Sequence, residues 1–264
     1  MANGKVTLDR PAEAVARLTI SNPEKRNALD HDILDAIAEA MPALANGIET
    51  RCVIITGEGK MFSAGYDIGD IPEEVFAEEA ERLVAHPFHR AIEAVEGFPF
   101  PTLAAINGHA LGGGLELAVA CDLRLAASGV KLGMPPGKLG LIYSHTGLLK
   151  FVDTVGPART RELFLVGRNI DAQRAEQIGL VNEVVETERF EQAAVDLASE
   201  IASNAPLSTK GNKEIIRRLT SFPRLTEDAE REVIDLRLSS FSTEDFREGV
   251  RAFGEKRKPK WRGQ

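Results

Sequence analysis

The stretch from residue 103 to residue 121 constrains the fold more than any other part of the chain. A short apolar strand at 103–106 leads into Asn107-Gly108-His109-Ala110-Leu111-Gly112-Gly113-Gly114 and then into Leu115-Glu116-Leu117-Ala118-Val119-Ala120-Cys121, which reads as a helix from about 113 to 121. A helix that is apolar on nearly every side has no face to give to water, so it must lie inside a layered structure. Three glycines at its start expose backbone N–H groups that nothing in the helix satisfies. Lacking side chains, they let a ligand approach the backbone, and the helix dipole favours negative charge there. The single interruption of the apolar surface is Glu116. A buried carboxylate is costly unless it is paired or used. Cradle and carboxylate share one helical turn, so a catalytic role for Glu116 is expected ahead of a plain bond to a nearby arginine or amide.

The flanking segments alternate strand and helix. Residues 6–8 and 14–20 alternate apolar and polar side chains, the pattern of a half-exposed sheet. Asp30 is a good N-cap for a helix with the stripe Ile33, Leu34, Ile37, Ala38 and Met41, which Pro42 should end or kink. Residues 52–56, closed by Gly57, read as a buried strand. Pro72 opens a further helix, and Pro87 interrupts it before Phe88, Ala91, Ile92 and Val95 resume the period. Leu123, Leu125 and Ala127, alternating with Arg124 and Ala126, form another strand. Pro157, Asp171 and Thr187 mark later helix starts, with a strand at 180–185. Repeated units of this kind predict an α/β core over residues 1–203. Residues 204–264 carry no strand signal. Pro206, Thr226 and a capping box of Ser242 and Asp245 open three helices, the last with Phe246, Val250 and Phe253 on one face. Exposed amphipathic helices often build subunit contacts.

A formal net charge of -8 and a pI near 5.3 exclude a general attraction to nucleic acid or to an anionic membrane. The local exception is the end of the chain, where Lys256, Arg257, Lys258, Lys260 and Arg262 form either a solvated tail or a clamp for a phosphorylated ligand. Cys52 and Cys121 sit in apolar runs, which suits two buried thiols in a reducing compartment. With no apolar leader and no segment of membrane-spanning length, the expected address is the cytoplasm. His86 and His89 have Pro87 between them and no third ligand nearby, so no metal site is expected. The segment 133–138 is one residue short of a phosphate-binding loop. Ser144 and His145 are adjacent, poorly placed to act on each other, and no Gly-x-Ser-x-Gly elbow exists.

A second stretch, Lys60-Met61-Phe62-Ser63-Ala64-Gly65-Tyr66-Asp67-Ile68, follows the strand at 52–56 and offers a turn able to aim another N–H into a pocket. Together with the Gly-Gly-Gly-Leu-Glu helix start, the opening Asn22-Pro23-Glu24-Lys25-Arg26-Asn27-Ala28-Leu29, the 167–185 region and the ending Glu248-Gly249-Val250-Arg251-Ala252-Phe253-Gly254-Glu255-Lys256, it resembles the crotonase superfamily. This is the enoyl-CoA hydratase and isomerase family, and the similarity spans essentially the whole chain. The resemblance implies an α/β spiral of ββα units with a C-terminal helical trimerisation region, assembled as a homotrimer or a dimer of trimers. It implies an acyl-CoA thioester as substrate, with no cofactor beyond the coenzyme A that the substrate carries. Tyr66 and Gly113 would donate two N–H groups to the thioester oxygen, and Glu116 would move a proton. The peptide around Arg26, together with Ala64, would lie along the coenzyme A moiety. Gly65, Asp67, Ile68 and Gly112 would also bind the substrate, and Phe253 and Lys256 would contact coenzyme A from the tail.

One position departs from that pattern. Where the two-carboxylate hydratases carry a second glutamate, this chain has Pro136, which neither donates nor accepts a proton. Nearby, Tyr143, Ser144 and His145 offer a polar group, with Tyr143 the candidate; the alternative is a helix cap at Ser144 and a packed tyrosine. The Phe-Ser-Ala-Gly turn, the 138–143 segment and the tail also look like the methylmalonyl-CoA decarboxylase branch, which usually carries histidine where this chain has Tyr66. Three functions follow: a hydratase/isomerase-type enzyme, a decarboxylase of malonyl-type thioesters, and a non-catalytic scaffold that binds thioester or RNA. The acidic pI argues against RNA, and an intact Glu116 against a dead scaffold.

Overall fold

The computed structural model describes residues 4–67, 84–220 and 226–262. Strands β1 (Lys5–Ala12) and β2 (Val15–Ser21) pair antiparallel, with Lys5 opposite Ser21. Helix α1 (His31–Leu44) is capped by Asp30, whose side chain accepts from Ile33 N–H. Its apolar stripe, Ile33, Leu34, Ile37 and Met41, is fully buried. Pro42 does not stop the helix before itself. It stands in the last turn and the helix ends two residues later, because a proline so near the end interrupts few remaining bonds.

Next come β3 (Cys52–Gly57) and β4 (Met61–Ser63). The helix start expected at Pro72 lies outside the described residues. Pro87 sits in a wide turn, Val84–Phe88, which leads into α2 (His89–Glu96). Then follow β5 (Thr102–Ile106), β6 (His109–Leu111), α3 (Gly113–Ala120), β7 (Leu123–Ala127), β8 (Lys131–Gly133) and α4 (His145–Arg161). Helix α4 begins at its Ser144 cap, earlier than Pro157 suggests. Pro157 instead resumes the helix after Gly156, whose φ of 74° breaks the path. The chain continues through β9 (Ile170–Asp171), α5 (Ala172–Gln177), β10 (Glu183–Val185) and α6 (Phe190–Ser203). Strand β10 is shorter than the expected 180–185, since Leu180 and Val181 turn back to bond the Ala175 carbonyl.

Among the described residues, one sheet has the order β1-β2-β3-β5-β7-β10 and the other β4-β6-β8-β9. Pairing is parallel except at β1–β2 and β8–β9. The pairs β3/β4, β5/β6 and β7/β8 each give their first member to the large sheet and their second to the small one, with a helix after each pair, whereas β9 joins the small sheet and β10 the large one with α5 between them. This is the expected spiral of ββα units. Helix α3 lies in the core, with all eight of its residues buried. Arg124 on β7 does not face water as simple alternation suggests. It is 7% exposed and donates to the carbonyls of Leu180 and Cys121. Cys52 and Cys121 are free, buried thiols, and burial pushes both up to about 12.

After α6 the described residues form helices only: α7 (Pro206–Thr220), α8 (Glu227–Ser240) and α9 (Glu244–Gly254). The last is capped by Thr243 rather than Ser242. Its buried face is Phe246, Gly249 and Ala252, and Phe253 stands outside it at 76% exposed. Lys213 ties α7 to the core through Asp122 at 2.6 Å and the Phe100 carbonyl at 3.0 Å. Helices α8 and α9 fold back on the segment before α4. Ser240 accepts from Ile142 N–H at 3.2 Å, Glu230 pairs with His145, and a Cβ added at Gly140 would lie 2.9 Å from the Asp245 carbonyl.

Candidate active site

Local backbone rules build the cradle. The turn after β4 needs glycine at position 65, where φ is 101°, and a Cβ there would lie 3.0 Å from the Leu111 oxygen and 3.3 Å from Gly113 N. The Gly65–Tyr66 turn thus rests directly on the start of α3. Gly112, with φ 52° and ψ -127°, swings the chain into that helix, and its carbonyl accepts from Glu116 N–H. A Cβ at Gly113 would lie 2.7 Å from the Tyr66 ring, and one at Gly114 would lie 2.6 Å from the Ser63 Cβ. Neither Tyr66 N–H nor Gly113 N–H is drawn into the turn, cap and loop hydrogen bonds among the described residues.

A second segment holds the turn from behind. Ala64 N–H donates to the Arg26 carbonyl at 3.1 Å, Leu29 N–H to the Gly65 carbonyl at 2.7 Å, and Asp67 N–H to the Leu29 carbonyl at 3.0 Å. Lys25 and Asp67 form an ion pair at 2.8 Å. Arg26, Ala64, Gly65, Asp67 and Gly112 therefore gather with Tyr66 and Gly113 around one end of α3. Ile68 lies outside the described residues.

Glu116 sits one turn into α3 and is 3% exposed. Burial pushes its carboxyl up to about 7, against the opposing pull of the Tyr143 hydroxyl and of Lys150. Tyr143 donates to Glu116 Oε2 at 2.5 Å, and its ring packs on Phe164 with centroids 5.3 Å apart. Tyr143 is thus a packed tyrosine whose hydroxyl is bonded to Glu116. The Tyr66 hydroxyl lies 3.4 Å from the Tyr143 hydroxyl, a contact that the sequence reading missed. Surrounding protein holds both phenols well above their ordinary range, with the Glu116 charge adding to the effect. Also missed was the Lys150–Glu96 ion pair, whose charges reach Glu116 from α4 and α2. A carboxyl poised near neutral pH can give or take a proton.

The chain matches the enoyl-CoA hydratase/isomerase family over residues 10–264. It belongs to that family. It is 37% identical over 247 residues to the short-chain-enoyl-CoA hydratase of Clostridium acetobutylicum, covering 92% of each chain. It is 31% identical to the 2,3-dehydroadipyl-CoA hydratase of Escherichia coli, covering 96% of each. Among solved structures, methylmalonyl-CoA decarboxylase complexed with 2S-carboxypropyl CoA superposes with a TM-score of 0.90 at 30% identity, over 100% of both chains. An enoyl-CoA hydratase from Bacillus anthracis gives 0.77 at 32% identity, covering 98% of this chain and 100% of that one. The protein is an enzyme of the enoyl-CoA hydratase/isomerase type.

Pro136 is buried and opens a short turn at Pro136–Lys138. Ser144 caps α4 by accepting from Gly147 N–H, and His145 turns away to Glu230. His86 and His89 are both exposed, and His89 pairs with Glu93. Among the described residues no group of three or more His, Cys, Asp or Glu side chains is placed to hold a metal ion. At the tail, Arg257 is tied to Glu248 at 2.6 Å and also to Glu255, whereas Phe253 and Lys256 are exposed at the end of α9. No described hydrogen bond or ion pair joins either of them to the Glu116 cluster.

Proposed function

We propose that this enzyme handles the enolate of an acyl-CoA thioester. The N–H groups of Tyr66 and Gly113 hold the thioester oxygen, and Glu116 moves a proton at or near the α-carbon. The observation that carries this reading is the contact between the Gly65–Tyr66 turn and the start of α3, one helical turn from a buried carboxyl at about 7. Charge gathering on the oxygen meets donors that need no reorganisation, and one such donor is worth ~2.7–4 kcal/mol. Glu116, divided between its two forms at neutral pH, serves as acid or base. The peptide around Arg26, together with Ala64, lies along the coenzyme A moiety, Gly65, Asp67 and Gly112 bind the substrate, and Phe253 and Lys256 reach the coenzyme A moiety from the tail.

A second reading, decarboxylation of a malonyl-type thioester, is favoured by two observations. Pro136 removes the carboxylate that would pair with Glu116 in water addition. The fold superposes on methylmalonyl-CoA decarboxylase structures with TM-scores of 0.89 to 0.90. Loss of CO₂ needs the oxyanion cradle and at most one acid–base group, with Glu116 or Tyr143 orienting the departing carboxylate. Water addition to crotonyl-CoA and CO₂ release from methylmalonyl-CoA, measured side by side, separate the two. Tight ester binding with neither reaction and no α-proton exchange would defeat both.

Two further parts belong to the proposal. Ile215, Ile216 and Leu219 on α7 and Leu236 and Leu238 on α8 are exposed apolar side chains, which suits burial between copies as a homotrimer or a dimer of trimers. Two buried free thiols suit the cytoplasm.

A further inference from the structure

We propose that the side-chain hydroxyl of Tyr66, as distinct from its backbone N–H, is a catalytic group: it ends a hydrogen-bonded chain Glu116–Tyr143–Tyr66 that delivers a proton to the enolate α-carbon. The inference rests on the enolate reading above and adds the route the proton takes.

The route follows from how Glu116 is enclosed. Its Oε2 is occupied by the Tyr143 hydroxyl at 2.5 Å. Its Oε1 faces α4, where a Cβ on Gly147 would lie 2.9 Å away. The Oε2 side of the carboxyl is thus closed by a phenol, and a proton that leaves or reaches it on that side passes through a hydroxyl. The next group outward is Tyr143, 8% exposed, and after it Tyr66, whose hydroxyl lies 3.4 Å from that of Tyr143, also interacts with Glu116, and belongs to a residue only partly buried. Residue exposure therefore rises from Glu116 through Tyr143 to Tyr66. The Tyr66 ring lies against Gly113 and edge-on to Phe88, at 4.8 Å between centroids. One residue thus brings an N–H and a hydroxyl to the same end of α3. The sequence contains two tyrosines in all, and both are in this chain.

The step balances within the protein. A C–H bond forms at the α-carbon as the Tyr66 O–H breaks, while the Tyr66 oxygen takes the proton of Tyr143. Tyr143 takes that of Glu116, which starts protonated and donates to Tyr143 while Tyr143 donates to Tyr66. Once Glu116 is left as carboxylate, Tyr143 donates to it again, and Glu116 regains a proton from solvent. Both phenols are held well above their ordinary range, so the protons move together with no standing phenolate, and Glu116 sets the pH dependence. The other charged groups facing the chain are Lys150 on α4, Glu96 on α2 and Arg237 on α8. His145, two residues after Tyr143, is engaged by Glu230, and His145→Gln serves as the control.

The test is exchange of the α-protons of butyryl-CoA in deuterated solvent, followed against pH. Tyr66→Phe keeps the ring on Gly113 and Phe88. It should lower the exchange kcat by ~10²-fold, leave KM unchanged and remove the limb centred near 7. Tyr143→Phe should lower kcat as severely, and the double variant no further, because either break opens the same chain. A Tyr66→Phe enzyme that keeps its rate, or that loses rate while keeping the limb, overturns the relay and leaves Tyr66 as packing. A parent enzyme that exchanges no α-proton of any acyl-CoA ester overturns the enolate reading and the relay together. A relay failure alone shows as a parent that exchanges normally beside an unaffected variant.

Discussion

Glu116→Gln should stabilise the protein at pH 8 while disabling it. Glu116 has its carboxyl raised from 4.5 to about 7, chiefly by burial. At ~1.36 kcal/mol per pH unit, that rise corresponds to about 3 kcal/mol. The sign follows from which state holds the proton. Between 4.5 and about 7 the folded protein keeps a proton that the unfolded chain has released, so stability falls as pH rises through this window. Below 4.5 both states are protonated and nothing is lost; above about 7 the full cost is present. Glutamine carries no charge in either state and still accepts from Tyr143, so it escapes the cost. Urea unfolding at pH 5 and at pH 8 should show the variant gaining on the parent by up to ~3 kcal/mol between the two pH values. Turnover should fall by ~10²–10⁴-fold, the scale of a positioned acid–base group. Stability differences equal at both pH values would refute the claim that Glu116 is held protonated by burial. Unchanged turnover on the true substrate would remove it from the chemistry.

The other tests address the cradle, the tail and the missing carboxylate. Gly113→Pro, which deletes the N–H at a helix position where proline is tolerated, should abolish turnover more completely than Glu116→Gln. Gly113→Ala keeps the N–H while crowding the Tyr66 ring, so an equal loss in variants of matched thermal stability would mean that packing, not the donor, matters. Lys256→Ala should raise KM for acyl-CoA esters, and added salt should weaken binding of the parent more than of the variant; identical KM and salt slopes would return the tail to simple solvation. The parent should hydrate crotonyl-CoA slowly, and Pro136→Glu should raise that rate modestly, since a side chain without supporting contacts is seldom held in productive geometry. Fast hydration by the parent, with no CO₂ from methylmalonyl-CoA, would sink the decarboxylase reading.

What the sequence determined by itself was everything encoded over a few neighbouring residues. The Asp30 cap, the apolar run of β3, the glycine turn at 65 and the glycine-led helix carrying Glu116 are each set by local backbone sterics, capping and burial, and each is found in place. The cradle was legible because glycines and a lone charge in an apolar helix are rare enough to stand out. Tertiary structure alone decided which distant side chains meet. Tyr66 and Tyr143 are 77 residues apart, and Tyr143 and Glu116 are 27 apart, so no periodicity links them. The same holds for Arg124, which alternation points to solvent but two carbonyls capture in the core. Long-range contacts of this kind depend on how the two sheets and α4 pack, and packing joins residues by shape and by unmet hydrogen-bonding need. Whether Glu116 is an ordinary acid or one poised near 7 is likewise a property of its enclosure. A carboxyl responds to the water removed around it and to the hydroxyl that replaces that water, and the fold supplies both.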